Sequence, residues 1–184
     1  MKPLLIKTGK GSDRERAGFS LIELLVVVAI ILIIAAIAIP NLMRARMAAN
    51  EASAVSSLRT INTASVNYST TYNNGYAPSL GALGGTDGGT ASCNAAEMLD
   101  SVLSNNGSGN TSQKSGYNFT FVPGPVNGAP ASGCGSAGVT SFSVVALPIL
   151  VSYTGQRGFY IDQTGVIRFS TDGSAPTTSN PEIQ

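Results

Sequence analysis

The feature that most constrains this chain is the run from Leu24 to Ile39, which holds no polar residue. Extended back to Phe19 it counts 21 residues. As a helix at ~1.5 Å per residue it reaches ~31 Å, the thickness of the ~30 Å hydrocarbon core of a bilayer. One residue breaks the pattern. Glu23 puts a carboxylate inside the membrane-length segment, which costs about 2.5–3.5 kcal/mol on insertion scales and by default marks a site with a partner. The bland alternative is a carboxylate that snorkels to the interface near the end of the span.

Charge is distributed to match. Residues 1–18 hold Lys2, Lys7, Lys10, Arg14 and Arg16 against Asp13 and Glu15, a net of +3, whereas residues 19–184 carry a net of −2. Under the positive-inside tendency the basic start is a cytoplasmic flank and the C-terminal bulk lies outside. A secretory signal peptide is the competing reading. Its apolar region is usually shorter, and a small-residue cleavage site follows it, whereas here Gly18 precedes the run.

The residues around the run carry a resemblance. Gly18-Phe19-Ser20-Leu21-Ile22-Glu23, followed by an apolar helix and Pro40, resembles the N-terminus of the type IV pilin and pseudopilin family. The resemblance covers roughly residues 14–62. It implies that a membrane aspartyl peptidase cuts between Gly18 and Phe19 and that the new N-terminal Phe19 is methylated. Gly18 is then substrate: without a Cβ it lets the peptidase approach the scissile bond. The free amine at Phe19 is a cation at the start of an apolar helix, and in a bundle Glu23 of one subunit can meet it on a neighbour. Each charge alone would be buried unpaired, so the pair favours one register. Pro40 reads either as an irregularity near the bilayer face or, by the resemblance, as a point where the helix melts locally in a fibre.

Two cysteines, Cys93 and Cys134, both fall in the exported part. In an oxidising compartment they read as one disulfide, the alternative being two unpaired thiols. Closing a loop of about 40 residues is worth about 4 kcal/mol in the chain-entropy picture.

Pro40 removes a backbone donor, so it should kink or loosen the helix rather than end it. Beyond it, Met47, Ala54, Leu58, Ile61, Ala64/Ser65, Tyr68 and Tyr72 fall at intervals of three, four and seven, the stripe of an amphipathic helix. Asn73-Asn74-Gly75 is a stop signal. Tyr76 to Ser92 gives no periodicity. A short helix is expected over Asn94–Leu103, with Asn94 as cap and Glu97 completing a capping box. Strands are expected at 116–122, 140–147, 158–161 and 166–169, the last pair joined by a turn at Asp162–Gly165. The tail after Gly173 should be extended. The expected fold is α+β: a long N-terminal helix whose second half packs on a small antiparallel sheet of about four strands. Its divisions are a leader (1–18), an apolar transmembrane or filament-core helix (19–46), its amphipathic continuation (47–73) and a globular head (74–184).

Enzyme chemistry finds little support, since the chain has no His and so lacks the commonest general base. Asp162 and Asp172 read as turn residues beside glycine rather than calcium ligands. No cofactor is expected. Nor is direct nucleic-acid binding, given the net charge of residues 19–184 and the lack of a basic run. The resemblance implies a structural subunit of a type IV pilus. Its partners would be copies of itself, minor pilins, the prepilin peptidase and methyltransferase, and the membrane assembly platform. The precursor would be a single-pass protein of the cytoplasmic (inner) membrane with its head outside, and the product an extracellular fibre. The alternatives are a pseudopilin of a type II secretion system, in a periplasmic pseudopilus, a minor pilin of a DNA-uptake or adhesion pilus, and a membrane-anchored domain that never polymerises.

Overall fold

The structure is a computed structural model that describes residues 19–85 and 89–183. The leader and Gly18 therefore lie outside the described residues, as does Asp87. The chain divides into two compact units at the Pro40–Asn41 junction. Helix α1 (Leu21–Tyr72) begins in the first and ends in the second, and Pro40 lies inside it.

Within the second unit α1 has one buried stripe: Glu51, Ala54, Ser57, Leu58, Ile61, Ala64, Ser65 and Tyr68. Met47, expected to open that stripe, is half-buried, and the first buried position is a charged one, Glu51. The helix stops as anticipated. Asn73 takes the left-handed conformation (φ 48°), its N–H still bonded to Ser69 O at 3.1 Å, and Gly75 follows at φ 78°. Asparagine and glycine tolerate these angles, which β-branched residues do not.

The sheet has five antiparallel strands in sequence order, not four: β1 (Thr111–Lys114), β2 (Tyr117–Pro123), β3 (Phe142–Pro148), β4 (Gly158–Asp162) and β5 (Arg168–Ser170). The missed strand is β1, whose Thr-Ser-Gln-Lys lacks the aromatic and branched residues that mark strands. It is an edge strand held by its hairpin to β2 through Ser115 (φ 49°) and Gly116 (φ 75°). Two consecutive left-handed residues suit the twist of a two-residue hairpin turn. Tyr117, Phe119, Phe121, Phe142, Val144, Ala146, Phe159 and Ile161 alternate onto the face of the core they share with Leu58, Ile61 and Tyr68.

One further expectation is corrected. No helix forms over Asn94–Leu103. Ser92 and Ala95 bridge each other, and Glu97 sits at φ 53°. The N–H groups of Ala96, Glu97 and Met98 are spent on the carbonyls of Ala82, Gly84 and Leu83 at 2.8–2.9 Å. Those carbonyls belong to the end of a four-residue helix α2 (Leu80–Leu83), which Ser79 caps by accepting from Ala82 N–H at 3.0 Å. The capping residue of the neighbouring turn is Asp100, which accepts from Val102 and Leu103 N–H and from Lys114 Nζ. Burial alone would push its carboxyl up, but these donors hold it below the usual carboxylate range. The end of the tail pairs with β5. Ile183 N–H donates to Ile167 O and Phe169 N–H to Pro181 O, so residues 181–183 shield the β5 edge.

Cys93 and Cys134 form a disulfide, with Cα atoms 5.5 Å apart. Beside it the buried Tyr68 hydroxyl donates to Cys93 O at 2.7 Å. Asn74 donates to Ser136 O at 3.0 Å and accepts from Ala131 N–H at 2.9 Å. The long Gly/Pro/Ala connection between β2 and β3 is thus tied to the end of α1. At the other end of the buried stripe Glu51 Oε1 accepts from Gln156 and Arg157 N–H at 2.9 and 3.1 Å, and Oε2 from Arg157 Nε at 2.8 Å. The Arg157 guanidinium also lies 5.5 Å from the Phe159 ring and 5.6 Å from that of Phe169, close enough for cation–π attraction. Burial alone would raise the Glu51 carboxyl, but the two backbone donors and Arg157 outweigh it and hold it below its ordinary value.

Because the folded carboxyl of Glu51 binds its proton more weakly than the unfolded one, the unfolded state takes up protons first on acidification. The pair's contribution is therefore complete above the ordinary carboxylate range and is lost as pH falls below it. Glu51→Leu should lower the unfolding free energy by about 2 kcal/mol at neutral pH, since it strands two part-buried N–H groups and leaves the half-exposed Arg157 without its partner. It should also flatten the acid limb of stability against pH, both read by guanidinium unfolding in detergent. Replacing Cys93 and Cys134 together by Ser should cost about 4 kcal/mol in the same assay under oxidising conditions and nothing in reductant.

Candidate assembly site

Among the described residues the first unit contains one ionisable side chain. Between Phe19 and Pro40, Glu23 stands alone, and the next charge is Arg44. Side chains from Phe19 to Ile39 are exposed, with only Ala35 intermediate. α1 is the one helix among the described residues long and apolar enough to cross a membrane. Branched aliphatic residues crowd all sides of its Leu24–Ile39 stretch. This is the pattern of a helix whose surroundings are lipid or other helices rather than water.

Glu23 is placed by the helix start. Ser20 precedes the first helical residue, and the Glu23 carboxylate reaches back to accept its N–H at 3.0 Å. That is one arm of a capping box: a residue three positions into the helix satisfies a donor the first turn leaves open. A negative charge there also complements the positive end of the helix dipole. Phe19, Ile22, Val26 and Val27 line the same notch as Glu23, as spacings of three and four require. The carboxylate therefore lies on an apolar face at the first turn of the helix, on the same side as Phe19.

Of the residues singled out from sequence, Phe19 and Glu23 come together on this face, whereas Pro40 lies further along α1. Cys93 and Cys134 belong to the second unit, and Gly18 is outside the described residues. Sequence reading missed the Ser20–Glu23 bond, although a serine followed three residues later by glutamate is itself the capping signal. It also missed the Glu51–Arg157 pair, whose members are 106 residues apart. No sequence signal joins residues so distant.

A known family matches over this helix start. The family described as the prokaryotic N-terminal methylation motif matches residues 13–39. A 38-residue segment is 60% identical to the type IV wide pilus major component PilA4 of Thermus thermophilus. The match takes in 21% of this chain and spans 29% of the length of that relative. No solved structure matches the chain. Residues 13–39 thus carry the N-terminal methylation motif, and a 38-residue segment of the chain is similar to a type IV pilus component.

Proposed function

We propose that the chain is the precursor of a structural subunit of a type IV pilus. In this reading residues 1–18 are a leader, removed by a prepilin peptidase between Gly18 and Phe19, and Phe19 is then N-methylated. Residues 19–46 anchor the precursor in the cytoplasmic membrane and later form the filament core. Residues 47–73 continue that helix, and 74–184 complete the head outside. Minor pilins and a membrane assembly platform serve as partners.

The observation that carries the proposal is the combination in the first unit. The Phe19–Pro40 stretch exposes an apolar surface on every side, and its one carboxylate stands four residues after Phe19. Packing Leu24–Ile39 against equivalent helices removes that surface from water and lipid and supplies cohesion of about 25 cal/mol per Å² where water was the alternative. Apolar packing alone does not select a register. A buried carboxylate does, because it must meet a cation, and the amine left at Phe19 by cleavage is the cation each neighbouring copy brings. Within one chain the Ser20 N–H holds the carboxylate in a defined rotamer until that partner arrives.

Intact mass and N-terminal sequencing of protein sheared from the cell surface test the reading. Abundant fibres whose subunits begin at a methylated Phe19 are expected. Processed protein confined to the membrane fraction would point instead to a secretion pseudopilin or a minor subunit, and an intact leader would overturn the proposal. Glu23→Ala should be cleaved normally yet lose most of its sheared fibre. Wild-type fibre mass from that variant would refute the register role.

A further inference from the structure

From Ser115 to Gln156 the sequence contains no Asp, Glu, Lys or Arg, although Lys114 and Arg157 bracket the stretch. This stretch supplies a connection at each end of the sheet. β2 and β3 run antiparallel, with Tyr117 opposite Pro148 and Pro123 opposite Phe142. The connection 149–157 therefore leaves at one end and the connection 124–141 at the other, about 20 Å away for strands of this length.

The part of 115–156 at each end is apolar as well as uncharged, although Arg157 closes the first connection and Asp162 pairs with Ser143 near the second. At the first, Ile149, Leu150, Val151 and Tyr153 are exposed, Leu150 by 59% and Tyr153 by 67%. The loop is rigidly built. Leu150 O accepts from Thr154 N–H at 2.9 Å, Leu150 N–H donates to Thr154 Oγ1 at 3.1 Å, and Ser152 N–H donates to Gly155 O at 2.9 Å. At the second end Val122 and Val126 are exposed by 48% and 65%, beside exposed Pro123 and Pro125. Val126 is fixed by its bridge to Val139, and the connection is anchored by the disulfide and Asn74. Exposed apolar clusters on fixed loops mark contact surfaces, and loss of charge is the compositional sign of an interface core.

We propose that these two ends bind each other in successive copies of the chain, loop 149–153 of one head seating on Val122–Val126 of the next. An apolar patch at each end of one subunit suits a head-to-tail contact, and such contacts repeat into an open filament when the rotation does not close. A foreign partner would need only one of them. Asn50 holds the Thr154 carbonyl at the first end and Asn74 the Ser136 carbonyl at the second. Within the second unit, then, the line joining the ends follows α1, and the contact adds cohesion along the helix direction.

The inference rests on the fibre reading, and the experiment separates the two. A benzophenone side chain installed in place of Tyr153 in the full chain is irradiated in sheared fibres, and the cross-links are mapped by mass spectrometry. Links between copies should fall on the peptide holding Val122–Val126. Links to other parts of the chain, to lipid or to another protein, or none at all in intact fibres, would overturn the contact while leaving the fibre reading standing. Absence of fibres from the wild-type chain would remove both. As a second measurement, Leu150→Asp and Val126→Lys should each reduce sheared fibre mass about tenfold, the double variant recovering most of it. Membrane levels of the variants should stay at wild type. Wild-type fibre mass from both single variants would also overturn the contact.

Discussion

A single helix here has to satisfy two different surroundings. Up to Ile39 α1 is apolar on every side and finds no cover among the described residues of its own chain. Beyond Met47 it is apolar on one stripe only, and that stripe is closed over by the protein's own sheet. The hydrophobic effect acts on both stretches with the same strength per unit area, but the surface that relieves it differs. The second stretch is completed by folding. The first can be completed only by lipid or by other molecules, so the fold leaves it as an unfinished interface. Everything proposed for this chain's role begins from that unfinished surface.

The seam between α1 and the sheet combines two kinds of contact. Leu58, Ile61 and Tyr68 provide non-directional burial against the aromatic face of β2, β3 and β4. Burial of this sort tolerates sliding along the helix axis. Directional bonds remove that freedom. Asn50 bonds Thr154 O, Glu51 bonds the backbone of Gln156 and Arg157, and Asn62 bonds Asp162 O. Each captures a backbone group in a loop that would otherwise be partly buried without a partner. Glu51 is the most demanding of these, because its charge is buried and must be answered in full. Tyr117 adds to the same corner by donating to Arg157 O at 2.9 Å, while burial first and the Glu51 charge second keep its phenol protonated.

Much of this was legible along the chain. The apolar run, the amphipathic stripe and the Asn73–Gly75 stop are local patterns read at helical period. β2 and β3 were legible because alternation survives in half-buried strands. The errors also share a cause. β1 has no strand composition and exists because β2 offers it a partner. The Asn94–Leu103 stretch carries helix signals, yet its N–H groups are claimed by the carbonyl end of α2 and its backbone by the Cys93 disulfide. Tertiary hydrogen bonds of this kind outweigh propensities of a few tenths of a kcal/mol per residue.

By itself the sequence determined that residues 19–39 form a membrane-length apolar segment, where its lone carboxylate stands, and that a β-rich domain follows with two cysteines. Those features depend on neighbours a few residues away, and periodicity records them. Only the tertiary structure decided that Glu51 meets Arg157, that the tail returns to shield β5, and that the uncharged stretch 115–156 supplies a connection at each end of one sheet. These depend on which distant segments share space. That is settled by the joint packing of helix and strands, and no local pattern encodes it.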